Sequence, residues 1–136
     1  RERFKGIVEA RARAAFVGKV VVKPGAQKTD SEQHVANLLL SKKAEVNAKP
    51  ELEIYADDVR CAHGATVGQL DETALGYLRS RGIGAAEARA LLLRAFGGEV
   101  LERIALPALR ESLALRLGLA AEDGFETFDE AAEEAA

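Results

Sequence analysis

The hydrophobic pattern of this sequence changes its period once, near Asp71, and that change constrains the fold more than any other feature. Residues 6–68 hold short β-prone runs separated by Gly, Asp, Asn and Pro. After Asp71, apolar residues recur every three or four positions, the spacing of an amphipathic helix. We therefore expect a β-then-α fold, with strands in residues 1–68, a helical domain in residues 69–121 and an acidic tail in residues 122–136.

The β-prone runs are short, and the turns between them differ in length. They span residues 6–10, 16–22, 36–40, 52–55, 59–61 and 65–67. Many short strands with glycine-marked corners suit a sandwich, a barrel or a β-helix, and the pattern alone does not choose among these. Because the sequence has no Asn-Gly pair for a tight hairpin, we favour stacked rungs in which each strand pairs with the one above.

Two local signals predict turns and helix ends with defined geometry. Pro24 and Gly25 suit positions i+1 and i+2 of a β-turn. Asp71 is a suitable N-cap, and Glu72 in the first turn is favoured by the helix dipole. Gly82 suits the C′ position, so we expect the first helix to begin at Asp71 and end just before this glycine.

Two further helices are expected after the first. The second should cover residues 85–104, with an apolar arc wider than its own small domain can cover. Gly97-Gly98 in its middle costs roughly 2 kcal/mol relative to Ala-Ala, so either the helix kinks there or a neighbouring backbone comes close. Pro107 suits the first turn of a third helix, which Gly118 ends.

Composition limits the class of partner. The net charge is −3, and no segment is basic enough for nucleic acid to be the main partner. Residues 122–136 are acidic and alanine-rich, which predicts a disordered end. No apolar window approaches the length of a transmembrane helix, so we expect no membrane partner. The single cysteine argues against disulfides and for a reducing compartment, which we take to be the cytoplasm.

Cys61 and His63 are the side chains that carry the most chemistry. They are two residues apart, so on an extended strand both would stand on one face. A thiolate and an imidazole on one face form half of a soft metal site, and the other half would come from another segment or another chain. Taken singly, a cysteine is more often a small buried hydrophobe, and a histidine is more often a hydrogen-bonded structural residue.

Other polar residues favour structural interpretations. His34 follows Gln33 in a polar stretch and is expected to be a solvated loop residue. The carboxylates near the Cys-x-His pair could suggest acid–base catalysis or a hard cation site. We instead expect Glu51 and Glu53 on the solvent face of a strand whose inward residues are Leu52 and Ile54, with a turn at Asp57 and Asp58.

Three blocks of sequence stand out together: KVVVKPGAQKTD (19–30), KPELEIYADDVRCAHGATVGQLDETAL (49–75) and YLRSRGI (77–83). Over roughly residues 4–118 the sequence resembles the SufB/SufD family, scaffold subunits of the SUF iron–sulfur cluster assembly system. The SufB branch lacks the Cys-x-His-Gly-Ala-Thr-Val-Gly run, so the resemblance favours the SufD branch. The sequence departs from the family pattern at Gly76 and at Gly97-Gly98, neither of which touches the cysteine or the histidine.

The resemblance implies a right-handed parallel β-helix followed by a small helical domain. The sequence contains no methionine, so we expect a piece of a longer protein, with residues 1–68 as the last rungs. The resemblance also implies a non-catalytic scaffold that pairs with a SufB-like paralogue through its final strands and docks a SufC-like ABC ATPase through its helical domain. The implied cofactor is an iron–sulfur cluster, transient and interfacial in the full complex, with none expected on the isolated fragment.

The resemblance places site residues on this sequence as follows. His63 and Cys61 become candidate interfacial cluster ligands. The candidate pairing edge contains Val59, Cys61, Ala65 and Val67. The candidate ATPase-docking residues are Arg79, Arg81, Leu93 and Leu101. We also expect that the fragment could form a homodimer through its strand edge.

Two other classes of function stay open at the level of sequence. One is a free-standing metal-dependent enzyme that uses Cys61, His63 and nearby carboxylates, which would need further ligands on adjacent rungs. The other is a structural interaction module that binds no metal at any stage. No G-x-x-x-x-G-K-[ST] phosphate loop is present in the sequence, so nucleotide hydrolysis is expected to belong to a partner.

Overall fold

A computed structural model describes residues 1–120, which form five strands followed by three helices. The strands are β1 (Glu2–Val8), β2 (Arg13–Val22), β3 (Asp30–Leu39), β4 (Glu45–Ile54) and β5 (Arg60–Gln69). The helices are α1 (Glu72–Ser80), α2 (Ala85–Leu101) and α3 (Pro107–Arg116). This order confirms the β-then-α fold. The acidic tail at residues 122–136 lies outside the described residues, so the expectation about it stays a prediction.

All strand pairs are parallel, and the strands alternate between two sheets. One sheet has the order β1-β3-β5, and the other pairs β2 with β4. In the first sheet Glu2 is paired with Gln33, and Gln33 is paired with His63. The chain therefore returns to the same sheet about once every thirty residues, each time one strand further along. This is the stacking that the missing hairpin turns favoured.

The two sheets pack against each other through one face of each, which we call the inner face. The rings of Phe4 on β1 and Phe16 on β2 lie 4.7 Å apart between centroids. A Cβ atom on Gly18 of β2 would come within 2.9 Å of the Gln33 Nε2 atom on β3. The inner-face residues of the central strand β3, including Gln33 and Val35, are buried.

The strands are longer than the β-prone runs that marked them. The runs at 59–61 and 65–67 belong to one strand, β5, which continues through Gly64. β4 likewise begins seven residues before its run, at Glu45. Parallel pairing holds these polar segments in extended form, and a sequence pattern does not show which segments will pair.

Pro50 lies in the middle of β4, where its missing N–H is tolerated for a geometric reason. The Glu45 N–H donates to the Ala12 carbonyl oxygen at 3.1 Å, so Glu45 and the alternate residues after it bond toward β2. Pro50 belongs to the other set, whose N–H groups point to the open edge of the sheet. Proline is found in sheets mainly where no ladder hydrogen bond is lost.

His34 lies inside β3, so the expectation of a solvated loop residue is wrong. It is paired with Arg3 on one side and Gly64 on the other, and it is half-buried. β3 is central in its sheet and is paired on both sides, and one of its polar side chains, Gln33, donates a hydrogen bond to Glu2 on the neighbouring strand. Polarity in this segment therefore marked a paired strand rather than a connection.

The predicted turn and the ends of the first helix are confirmed. Gly25 has a φ of +80°, the left-handed conformation required after Pro24 in such a turn. The Asp71 carboxylate caps α1 by accepting a hydrogen bond from the Thr73 N–H at 2.8 Å. Gly82 follows the helix with a φ of +87°, as a C′ glycine should.

The second and third helices build a small apolar core. Its buried members are Leu101, Ala114 and Leu119. α2 continues through Gly97 and Gly98 and ends at Leu101, three residues before the expected end. A Cβ atom on Gly97 would collide with Leu119 Cδ1, so the close neighbour at this glycine is a side chain rather than a backbone. α3 begins at Pro107, as expected.

The chain divides into two compact units, Arg1–Leu92 and Leu93–Ala136. The division falls inside α2 rather than at the change of hydrophobic period. The Arg89 side chain on the first part of α2 donates to the Leu40 carbonyl oxygen at 3.1 Å, which ties this turn to the strand region. No helix among residues 1–120 combines the length and the apolar content needed to cross a bilayer.

Candidate functional site

Cys61 and His63 lie on β5 and project from the same face. Their register partners on β3 are Ser31 and Gln33. Residues two apart on a strand share a face, and paired residues of parallel strands do so as well. Because Gln33 lies on the inner face, Cys61 and His63 lie on the inner face too, which agrees with the expectation that the two side chains stand together.

The inner face is covered on β3 and open on β5. Gln33, Val35 and Asn37 are only 2%, 1% and 8% exposed. Their register partners on β5 are all exposed: His63, Ala65 and Val67. Within residues 1–120, β5 pairs with β3 alone, so its inner face lacks the cover that a further strand would give. Cys61, nearer the start of the strand, is half-buried.

The backbone of β5 also presents free donors. The Arg60 N–H donates to the Thr29 carbonyl oxygen at 2.8 Å. In a parallel ladder, the N–H groups of Arg60 and of every second residue after it therefore face β3. The N–H groups of the other set point to the open edge of the sheet. They belong to Cys61, His63, Ala65 and Val67. An edge of this kind can accept a strand from another chain.

Gln33 is a part of this site that the sequence did not reveal. Its Nε2 donates to the Glu2 carboxylate at 2.9 Å, and its Oε1 is buried with no hydrogen-bond partner. The sequence signal is weak, because Gln33 stands thirty residues before His63 and the length of one rung must be known to connect them.

The donor pair fits an iron site that is shared with another chain. Thiolate and imidazole are both ligands of iron and iron–sulfur clusters. Among residues 1–120, no group of three or more His, Cys, Asp or Glu side chains is placed to hold a metal ion. Cys61 and His63 therefore place two possible ligand groups at an open face, fewer than the four that a tetrahedral site needs.

The nearby carboxylates are engaged in surface ion pairs. The hydrogen bond to Glu53 raises the pKa of Lys19 above its ordinary value. The hydrogen bond from Lys49, at 2.7 Å, lowers the pKa of Glu51 below its ordinary value. The remaining two carboxylates of the segment bond to the preceding turn, Asp57 with Gln27 and Asp58 with Lys28. These partners favour the structural interpretation of all four carboxylates.

Leu52 and Ile54 share the inner face with Val20 and Val22 of β2, as expected for the inward side of β4. Ile54 is nevertheless 44% exposed, because β4 is an edge strand and no further strand covers it. Apolar residues are thus exposed at the open edges of both sheets.

The residues proposed for the docking of an ATPase have different environments. Arg79 and Arg81 are exposed, and the Arg81 guanidinium lies 5.1 Å from the centroid of the Tyr77 ring. The two arginines are therefore accessible to an acidic surface, with Arg81 held over an aromatic ring.

Val59, from the proposed pairing edge, precedes β5 and is half-buried.

Leu101 is corrected to a core residue. It is 5% exposed and packs with Ala114 and Leu119, and Leu93 packs against the same cluster. A side chain that fills the core cannot also be a contact for a partner, because α2 turns this part of its apolar arc inward. Within residues 93–120, the large apolar side chains that remain exposed are Leu106, Leu109, Leu115 and Leu117.

The chain is similar to proteins of iron–sulfur cluster assembly. Residues 1–96 match the family model of the SufBD core domain, described as SUF system FeS cluster assembly. An iron–sulfur cluster assembly SufBD family protein of Synechocystis is 50% identical over 80% of this chain and 24% of its own length. The iron–sulfur cluster assembly protein SufD of Escherichia coli is 45% identical over 87% of this chain and 28% of its own length.

The SufD protein of Bacillus subtilis is more distant, at 36% identity over 79% of this chain and 25% of its own length. The chain thus spans about a quarter of the length of the curated relatives it matches.

Proposed function

The chain belongs to the SufBD core family of the SUF iron–sulfur cluster assembly system, and on that premise we propose that it is the end of a non-catalytic scaffold subunit. The two parallel sheets are the last rungs of a right-handed β-helix, and the helices after them form its small C-terminal domain. The observation that carries the proposal is the open inner face of β5, where Cys61 and His63 stand side by side.

The proposed partner at β5 is a SufB-like paralogue. Two observations support this. Backbone N–H groups of β5 point to the open edge of the sheet, and the exposed inner-face residues of β5 are the register partners of residues that are buried on β3. A strand from the paralogue, laid along this edge, would satisfy the donors and cover residues such as Ala65 and Val67. When the paralogue is absent, two copies of this chain could pair through the same edge of β5.

The proposed cargo at this interface is a nascent iron–sulfur cluster. His63 is exposed and Cys61 is half-buried, so both can be reached by iron or sulfide held between two chains. The chain contributes an imidazole and a thiolate, and the paralogue contributes the remaining ligands. The cluster is the product that is assembled and passed on.

The proposed partner of the helical domain is a SufC-like ABC ATPase. Support comes from apolar residues on and beside α3 that are not covered by any part of residues 93–120. Leu115, for example, is 72% exposed. Arg79 and Arg81 are further candidates because both are exposed cations near the end of α1. Leu93 supports the core behind this surface.

The experiment is a comparison of two histidine variants in the full-length subunit, co-expressed with its paralogue and ATPase. His63→Ala should abolish or strongly reduce cluster formation, measured as iron and acid-labile sulfide per complex, while the complex still assembles. His34→Ala is the matched control, since it lies one rung earlier, in register with Gly64, on the opposite face of the sheet. Equal cluster content in both variants and the parent would refute the cluster role.

The metal-dependent enzyme remains less well supported. It needs a third and a fourth ligand close to Cys61 and His63 in the same chain, and residues 1–120 place none there. The carboxylates that such an enzyme would use have other partners: Glu51, Glu53 and Asp58 are paired with lysines, and Asp57 accepts a hydrogen bond from Gln27.

A further inference from the structure

Gln33 is a buried amide on the inner face, directly between two polar neighbours. It is 2% exposed, and its register partners are Glu2 on β1 and His63 on β5. Its Nε2 donates to a Glu2 carboxylate oxygen at 2.9 Å. The three residues form a column across the sheet that begins with a carboxylate and ends with the imidazole.

The orientation of this amide is fixed by chemistry. An ionised carboxylate only accepts hydrogen bonds, so the amide face toward Glu2 must be the nitrogen. The Gln33 oxygen is then the amide atom that Glu2 cannot engage. This Oε1 atom is buried and has no partner in the chain, although a buried acceptor is normally satisfied.

We propose that Gln33 is a positioning residue for His63: the exposed imidazole turns toward β3, and the unpaired Gln33 Oε1 then accepts a hydrogen bond from one of its ring N–H groups, a contact that this structure does not itself contain. The inference uses the proposed function only to explain why His63 should be held in one orientation. Neighbouring residues in a parallel register have side chains about 5 Å apart, so an amide and an imidazole can bond across the ladder. A neutral imidazole always has one N–H to give.

The consequence is a single tautomer with a known free nitrogen. When one ring nitrogen carries the proton that is donated to Gln33, the other has an available lone pair for a metal ion. Histidine ligands commonly donate their second nitrogen to a carboxylate, a carbonyl or water, which fixes the ring and raises its basicity. Glu2 extends the effect, since its charge polarises the amide from the far side.

The test is nitrogen NMR of the full-length subunit, without iron, with ¹⁵N-labelled histidine and at a pH where the imidazole is neutral. The His63 signals are assigned by comparison with a His63→Gln variant. We expect one dominant tautomer, with a ring N–H proton that is shifted downfield and exchanges slowly with solvent. A mixture of tautomers with a rapidly exchanging ring proton in the parent protein overturns the proposal.

Variants then ask whether Gln33 is the cause. Gln33→Met removes the acceptor at similar volume, and we expect loss of both the single tautomer and the exchange protection. Asn37→Leu is the matched control, because Asn37 is the other buried amide of β3 but is paired with Val67. An unchanged His63 in Gln33→Met, or the same loss in Asn37→Leu, overturns the assignment.

The result is separable from the cluster role. If His63→Ala leaves cluster formation intact while the tautomer is single and depends on Gln33, the proposed function fails and the hydrogen bond stands. If His63 is essential for the cluster but its tautomers are mixed, the positioning role fails alone.

Discussion

Gly97 of α2 and Leu119 beyond α3 are in such close contact that a Cβ atom on the glycine would collide with Leu119 Cδ1. Leu119 is 5% exposed and lies in the core, so moving its side chain aside would disturb the packing of that core. The glycine therefore allows α3 and the segment after it to close over α2. Its unfavourable helix propensity is offset by this packing.

Gly97→Ala should destabilise the helical unit by about 1–2 kcal/mol, because overpacking outweighs the gain in helix propensity. Gly98→Ala is the control, since a Cβ atom there has no heavy atom within 4 Å. That change should instead stabilise the helix by about 1 kcal/mol. The free energy of unfolding from urea titrations measures both effects. If the two alanine variants are equally stable, the contact with Leu119 does not constrain the helix.

Leu101→Ala and Leu115→Ala should separate the core from the proposed docking surface. Leu101→Ala leaves a cavity and should lower the free energy of unfolding by about 2–5 kcal/mol. Leu115 is 72% exposed, so its truncation should change stability by less than about 0.5 kcal/mol and weaken ATPase binding instead. Denaturation and calorimetric titration of the full-length subunit with the ATPase give the two numbers. Unchanged binding in Leu115→Ala, Leu109→Ala and Leu117→Ala together would show that the ATPase docks elsewhere.

Ala65→Pro and Thr66→Pro should have opposite effects on pairing and on folding. The Ala65 N–H points to the open edge of β5, whereas Thr66 belongs to the set that bonds to β3. Ala65→Pro should therefore leave the fold near intact, as Pro50 does in β4, but prevent pairing with the paralogue. Thr66→Pro should lose a ladder hydrogen bond to β3 and leave its acceptor unpaired, which should destabilise the sheet by about 1–3 kcal/mol. Gel filtration of the mixed subunits and thermal melting distinguish the two; co-elution of Ala65→Pro with the paralogue at parent affinity contradicts edge pairing.

The surface ion pairs should give a small, two-sided dependence of stability on pH. Lys49 lowers the pKa of Glu51 below 4.5, so this contribution is present above pH 4.5 and is lost as the pH falls through the folded-state pKa. Glu53 raises the pKa of Lys19 above 10.5, so its contribution is present below pH 10.5 and is lost as the pH rises through the folded-state pKa. Both groups are exposed, so the effects are weak and sensitive to salt.

Urea midpoints of the parent, Glu51→Gln and Lys19→Gln across pH measure these contributions. The Glu51→Gln difference should fall in acid as Glu51 is protonated, and the Lys19→Gln difference should fall in alkali as Lys19 loses its proton. Differences that are constant with pH would show that the ion pairs do not contribute through their charge.

Local signals in the sequence were enough for the first helix and the Pro-Gly turn. The Asp71 carboxylate and the Gly82 backbone act within a few residues of their own position, so their roles depend on no distant partner. Strand pairing is different, because the partner of His63 is Gln33, thirty residues away. The sequence showed the face that Cys61 and His63 share but not the residue beside them.

The errors have the same origin. His34 was placed in a loop because its surroundings are polar, yet β3 is paired on both sides and accommodates those groups. Leu101 was placed on a docking surface because α2 is apolar over a wide arc, and only packing against Leu119 shows which part of the arc faces inward. A helical or extended period gives the geometry of one element, while burial is decided by the elements that come to cover it.

The central claim is that Cys61 and His63 stand at an open inner face that a second protein covers. The most direct measurement is the rate at which a maleimide reagent modifies the Cys61 thiol, followed by mass spectrometry of its peptide, in the full-length subunit alone and in complex with its paralogue. The account predicts modification of the free subunit and a several-fold slower rate in the complex. Equal rates in the free subunit and in the assembled complex would contradict it.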